Sequence, residues 1–219
     1  MNYIRTLFKS LLIISHLPLL YSCQNESMEE LVIYSNDFST NELRNIISKE
    51  GIQEFNGEAV LGFFNNDSFD LNLFDLPSHN MVRINIDLYI HDSWEGNSRG
   101  ENGPDVWKML VEDELIVSTS FSNSICEPSF CLYQSYPENG LRQFEPKTGA
   151  IISDLPGRCL YKDENGWTSK YKISKIVPHH NSTLIIKCFD ELIQLNESDP
   201  KCDESWSVSK IEVSLLNIR

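Results

Sequence analysis

The sequence predicts an all-β fold: an antiparallel β-sandwich of jelly-roll type with one short helix near its amino end. Three observations predict it. Met81 to His91 alternates apolar and polar residues along its whole length, the period of a strand with one buried face. Short apolar segments bounded by Gly, Pro, Asn and Asp recur through the chain. Helix-spaced segments are too few to supply the crossovers that a parallel sheet requires.

At the amino end, the mostly apolar run Leu11 to Leu20 follows Arg5 and Lys9, and no acidic residue occurs before Cys23. Such a run is shorter than the roughly 20 residues needed to cross a bilayer and has the form of an export signal. It stops at Leu20-Tyr21-Ser22-Cys23, which resembles the bacterial lipobox, in which the cysteine is acylated and becomes the first residue. An ordinary signal cut at Ser22 would instead leave Cys23 as a thiol; the Leu-x-Ser-Cys phrase favours the lipid. Residues 1–22 are therefore read as a lipoprotein signal peptide, 23–30 as an acidic tether and 31–219 as a single β-sandwich domain. The tether resembles the acidic stretch of surface lipoproteins from Bacteroidetes-type bacteria. The expected place is extracytoplasmic, at the outer membrane or cell surface. The anchor alone meets the membrane, each buried acyl CH₂ contributing about 0.8 kcal/mol.

Removing Arg5 and Lys9 takes the formal charge from −14 to −16 over the remaining 197 residues. Nucleic acid and anionic lipid are poor partners for that surface. No linker or repeat divides the chain.

Ser39-Thr40-Asn41-Glu42 has the form of a capping box, and Leu43, Ile46 and Ile47 follow at helical spacing before Gly51, which predicts a helix over Thr40 to Glu50. Asp105 to Val111 and Leu115 to Phe121 bracket Glu112-Asp113-Glu114 as a hairpin. Further strands are expected at Ala59 to Phe64, Phe69 to Leu73, Lys170 to Ile176, Leu184 to Phe189 and Val208 to Leu216.

Beyond Cys23 five cysteines remain, an odd number for an oxidising compartment. Short loop closure pairs Cys126 with Cys131, and sequence proximity favours Cys188 with Cys202. Cys159 is then the spare thiol, without an argued base. Zinc is the competing reading, but no Cys-x-x-Cys occurs and His179-His180 falls on a turn.

Between the long strand and the hairpin lies His91 to Asp105, polar, punctuated by glycine and longer than a tight turn requires. Asp92, Glu95, Asn97 and Asp105 offer only oxygen donors, the ligands calcium takes in groups of about six to eight. A solvated acidic loop is the alternative. The spacing is not that of an EF-hand. Trp94 and Trp206 share the phrases Asp92-Ser-Trp94 and Glu204-Ser-Trp206, which suggests two loops meeting on one face. Each is either a core plug or a platform for stacking against a sugar ring. Trp107 reads as structural.

The phrases Leu73-Phe74-Asp75-Leu76-Pro77-Ser78-His79, Asp92-Ser93-Trp94-Glu95-Gly96-Asn97, Gly103-Pro104-Asp105-Val106-Trp107 and Asp203-Glu204-Ser205-Trp206 resemble those of a family of secreted bacterial proteins and lipoproteins. That pattern runs as Asp-Ser-Trp-Asp-Gly-Asn and a late Asp-Glu-Ser-Trp-Gly-x-Asp-Asn. The resemblance implies a jelly roll akin to galactose-binding-like and carbohydrate-binding modules, with an acidic ion-binding loop and no established reaction. Here Glu95 replaces an Asp, and Ser207, Ser209 and Lys210 replace Gly, Asp and Asn. The ion is therefore placed mainly on Asp92, Asn97 and Asp105, with Glu95 and Asp203 secondary.

No nucleophile elbow, zinc-protease helix or phosphate loop is present. His79, after Pro77-Ser78, reads as a turn residue whose ring bonds nearby backbone. The expectation is a non-enzymatic surface lipoprotein that holds calcium and presents loops to a glycan or an envelope protein. A glycan hydrolase and a purely structural envelope component are the alternatives.

Overall fold

The computed structural model describes residues 28–100, 103–140, 142–193 and 198–218. The expected signal peptide, Cys23 and residues 24–27 of the tether lie outside them. In chain order the described elements are β1 (Met28–Asn36), β2 (Ile46–Ser48), β3 (Ile52–Phe55), β4 (Glu58–Phe64), β5 (Ser68–Leu73), β6 (Met81–Asp92), β7 (Val106–Val111), β8 (Glu114–Ser120), β9 (Ile152–Pro156), β10 (Asn165–Pro178), β11 (Leu184–Glu191), α1 (Pro200–Asp203) and β12 (Glu204–Ile218). One sheet runs β3-β4-β12-β6-β10-β9 with β1 also on β12, and the other runs β2-β5-β11-β7-β8. Every strand pair is antiparallel. From β4 to β7, and again from β10 to β12, the chain alternates between the two sheets, as a jelly-roll sandwich does.

The predicted alternation of β6 builds the centre. Val82, Ile84, Ile86, Leu88 and Ile90 are fully buried between the sheets, whereas Arg83, Asn85 and Asp87 on the other face are half-buried. Near the end of β6 the outer face closes as well, because Phe55 packs edge-on against both Tyr89 and His91. That second apolar cluster includes Val60 and draws in Phe63 and Leu155. Among the described residues no helix is long and apolar enough to cross a membrane.

Three expectations are corrected. Thr40 to Glu50 is not helical: Asn41 and Asn45 adopt positive φ of 58° and 62°, and Ile46–Ser48 pairs with Phe69–Leu71 as β2. Two left-handed residues within one turn are incompatible with a helix, and asparagine tolerates that conformation at small cost. Met28, Glu29 and Glu30, expected in the tether, pair with Leu216–Ile218 as the start of β1. The strand escapes the alternation test because a bulge at Val32/Tyr34 breaks its period and most of it is an exposed edge. Cys202 bonds Cys159, not Cys188, with Cα atoms 5.0 Å apart. Cys188 lies in mid-β11, buried between the sheets and out of reach of a surface loop. Burial pushes its thiol well above the usual range, with the Asp70 carboxylate adding to the effect. The Cys126–Cys131 bond forms as expected.

The Cys159–Cys202 bond closes a loop 43 residues in sequence separation. In the chain-entropy account such a closure contributes about 3–4 kcal/mol. Chemical denaturation should show Cys159→Ala and Cys202→Ala each losing about that much, while Cys188→Ala, which removes one buried sulfur, loses about 1 kcal/mol.

Candidate functional site

β6 runs from one end of the sandwich to the other. At its upper end Asp92 faces Glu204, the first residue of β12, in the antiparallel register, and the β6–β7 loop begins. That loop returns at Asp105, the residue before β7, where the Glu95 amide donates to Asp105 Oδ2 at 2.6 Å and the Asp105 amide donates to the Gly96 carbonyl at 3.0 Å. Gly96 has φ +66°, and a side chain there would collide with the Tyr133 carbonyl. The close approach of the chain at Tyr133, just past the Cys126–Cys131 loop, to the acidic loop therefore requires glycine. Asn123 fastens the same end: its side-chain amide donates to the carbonyls of Ile90, Asp92 and Trp167, and its carbonyl oxygen accepts from the Ser169 hydroxyl.

This framework brings Glu95, Asp105 and Glu204 together, with one carboxylate oxygen from each lying within 4.8 Å of the others. Asp105 and Glu204 are buried and Glu95 is half-buried. Asp105 Oδ1 is buried without a hydrogen-bond partner. Burial, opposed by the amides of Glu95 and Ile193 and reinforced by the Glu95 and Asp203 carboxylates, pushes the Asp105 carboxyl up to about 8. Burial, followed by the charge on Asp203, also raises Glu95. A site with three carboxylates at this separation must take up protons or a cation, because desolvated like charges repel strongly. Its donors are all oxygen, and the nearby turns carry backbone carbonyls. That donor set suits a hard divalent ion such as calcium better than zinc.

Of the predicted ligands, Glu95 and Asp105 enter the cluster and three residues do not. The Asp92 carboxylate accepts the amides of Cys159 and Tyr161 at 3.2 Å and clamps the loop after β9. A Cβ at Gly157 would lie 2.5 Å from Asp92 Oδ1, so this clamp depends on a glycine. Burial, opposed by those amides and by Arg158, moves Asp92 up to about 6. Asn97 joins two other segments, donating to the Arg142 carbonyl and accepting from Ser120 Oγ, both at 2.6 Å. Asp203 ends α1 and accepts from Ser93 Oγ at 2.6 Å, contributing field to the cluster without belonging to the group of three. Glu204, one residue on, takes the place expected for Asp203. The repeated phrase around Trp206 pointed to this segment, but only the strand register selects which acid faces inward.

Asp92→Asn should therefore loosen the 157–161 loop, lowering the melting temperature by a few degrees for a loss of about 1–2 kcal/mol. Any rise in melting temperature produced by calcium should survive this substitution, as thermal melts with and without the ion would show.

Of the two alternatives for Trp94 and Trp206, the fold takes the core plug. Trp94 and Trp206 are both fully buried and cannot stack on a solvent-borne ring. Trp94 Nε1 donates to the Ser205 carbonyl at 2.9 Å, and Trp206 Nε1 donates to Asp190 Oδ1 at 2.7 Å. The half-exposed aromatic pair at this end is Tyr161 and Trp167, stacked with centroids 3.8 Å apart and planes 10° from parallel. Burial raises the Tyr161 hydroxyl, and the charges on Asp203, Glu164, Asp92 and Glu95 add to it, which places this pair beside the acidic residues. At the opposite end His79 behaves as expected of a turn residue: its Nδ1 lies 2.6 Å from the Pro77 carbonyl, while its Nε2 lies 2.7 Å from His179 Nδ1.

No family model and no curated protein matches the chain. Among solved structures it is similar to dimeric latent PorU from Porphyromonas gingivalis, with 12% identity and a TM-score of 0.40 over 88% of this chain, which spans 13% of that much longer chain. It is also similar to a family 35 carbohydrate-binding module from Clostridium thermocellum, with 9% identity and a TM-score of 0.35 over 84% of this chain and 97% of the module. The mannan-recognising module TmCBM27 shares 9% identity and a TM-score of 0.40 over 85% of this chain and 98% of its own. These are likenesses of fold alone.

Proposed function

We propose that this protein is a lipid-anchored extracytoplasmic β-sandwich that holds calcium among Glu95, Asp105 and Glu204 and uses the loops around that ion to bind an extracellular glycan. The observation that carries this reading is the buried Asp105 carboxylate, with one oxygen unpartnered and two further carboxylates beside it. A bound divalent ion would offset their repulsion and fix the β6–β7 loop against the start of β12. The Tyr161–Trp167 pair offers an aromatic face next to that loop, suited to the apolar face of a sugar ring. Asp105 is poorly placed to be the acid of a hydrolase, since its side chain is wholly buried and has no route to a glycosidic oxygen.

Affinity electrophoresis through gels containing polysaccharides tests the binding. Retention by at least one polysaccharide is expected, with retention reduced on chelation and by Trp167→Ala, each by about 1–3 kcal/mol. Loss of polymer length during the run would instead favour hydrolysis. Unretarded migration through every gel, with and without calcium, would remove the glycan from this proposal.

A further inference from the structure

The two ends of the sandwich differ in where the chain enters. β1 begins at Met28, which pairs with Ile218 at the close of β12, and Leu216 in turn faces Met81 at the start of β6. The chain therefore enters at the lower end, whereas the carboxylate cluster sits at the upper end beside Asp92. Between these ends β6 has 12 residues, a rise of about 40 Å at strand geometry. Cys23 precedes Met28 by five residues, which span at most about 18 Å.

The lower end is well braced. The Leu76 amide donates to the Ser182 carbonyl, His79 meets His179, and His179 Nε2 lies 3.4 Å from Glu112 Oε1, so the loops after β5, β7 and β10 are tied together. From this platform Phe74 projects with 62% of its surface exposed, and Met28 is 53% exposed. The sides of the sandwich carry charged rows, with Arg83, Asp87, Lys172 and Glu212 on the outer face of β6 and its neighbours. Asp75, Asp113 and Glu114 surround the lower end and repel anionic headgroups, so the tether and the exposed apolar residues, not charge attraction, set the contact.

We infer that the anchored domain stands upright with its lower end on the lipid surface, Phe74 at the interface, and its carboxylate cluster and Tyr161–Trp167 pair facing away from the membrane. This rests on the lipid-anchored reading above. A ligand held at the upper end would then be met from the medium, beyond the headgroup layer.

The native tryptophans supply the test, because Trp94, Trp107, Trp167 and Trp206 all lie at the upper end. Full-length acylated protein is inserted into phosphatidylcholine vesicles that carry dansyl-labelled headgroups, and energy transfer from tryptophan is measured. The wild type should transfer weakly. Phe74→Trp should add an emitter that loses most of its emission to the label, and Asn181→Trp on the neighbouring lower loop should repeat the result should the first substitution disturb folding. Strong transfer from the native tryptophans, or weak transfer from both added ones, in protein whose mass shows acyl chains on Cys23 overturns the orientation while leaving the anchor intact. A mass without acyl chains overturns the anchor and the orientation together.

Discussion

Metal-free protein is expected to lose stability by about 1.4 kcal/mol for each pH unit between about 6.5 and 8, and millimolar calcium is expected to restore it. The sign follows from Asp105, whose carboxyl is raised to about 8 by burial among like charges. A folded-state value above that of the unfolded chain contributes stability that is complete at low pH and is lost as pH rises through the folded value. Asp92, raised to about 6, shares only the lower part of that range. Glu95 and Asp190 shift in the same direction, both chiefly through burial. His91, held well below its usual value by burial and then by Arg158, acts with the opposite sign. Its contribution is present above about 6.5 and lost on acidification, which leaves the higher window to the carboxylates. Asp105→Asn keeps an oxygen for the Glu95 amide and removes the charge. Its melting temperature should stay nearly level across the window and should not respond to calcium. A saturating ion at about 100 times its dissociation constant would contribute about 2.7 kcal/mol to the wild type. Wild-type melts that are flat in pH and unmoved by calcium or chelator would reject the cluster as an ion site.

Trp206→Ala is expected to destabilise the fold by about 5 kcal/mol, enough to leave a large fraction unfolded near body temperature. Trp206 stacks on Phe64 with centroids 4.4 Å apart and meets the edge of Trp107 at 6.0 Å, so its loss opens a cavity between the sheets. Its indole also donates to Asp190, which is otherwise held by the amides of Asn66 and Asp67. Trp206→Phe separates the two contributions: most of the packing remains and the charged hydrogen bond goes, for a loss of about 2 kcal/mol. Urea titration measures both variants. Similar losses for Ala and Phe would mean that the hydrogen bond, and not the packing, holds this part of the core.

Local pattern was sufficient where one face of an element is buried and the other is not. The alternation of Met81 to His91, the hairpin around Glu112 and the Cys126–Cys131 closure are properties of adjacent residues, and all three are present in the folded chain. The fold class follows from their sum. Short or mostly exposed edge strands, which lack a clean alternating face, were not legible. β1 and β2 are held by β12 and β5, and the helix expected at Thr40 to Glu50 gives way to the pairing of Ile46–Ser48.

The site divides along the same line. Its composition was fixed locally, since a glycine-punctuated loop rich in carboxylates can offer only oxygen donors, and Glu95 and Asp105 lie within it. Which oxygens converge was decided by register and burial. Asp92 turns to the amides of Cys159 and Tyr161, Asn97 bridges the end of β8 at Ser120 to the Arg142 carbonyl, and Glu204 faces inward where Asp203 was expected. Cys159 meets Cys202 because two loops separated by 43 residues share the upper end, while the thiol nearer in sequence is sealed inside a strand. Chain order sets which groups are available, but electrostatic and covalent partners are chosen by distance in space, and in a sandwich of antiparallel strands the long-range hydrogen-bonded register sets that distance.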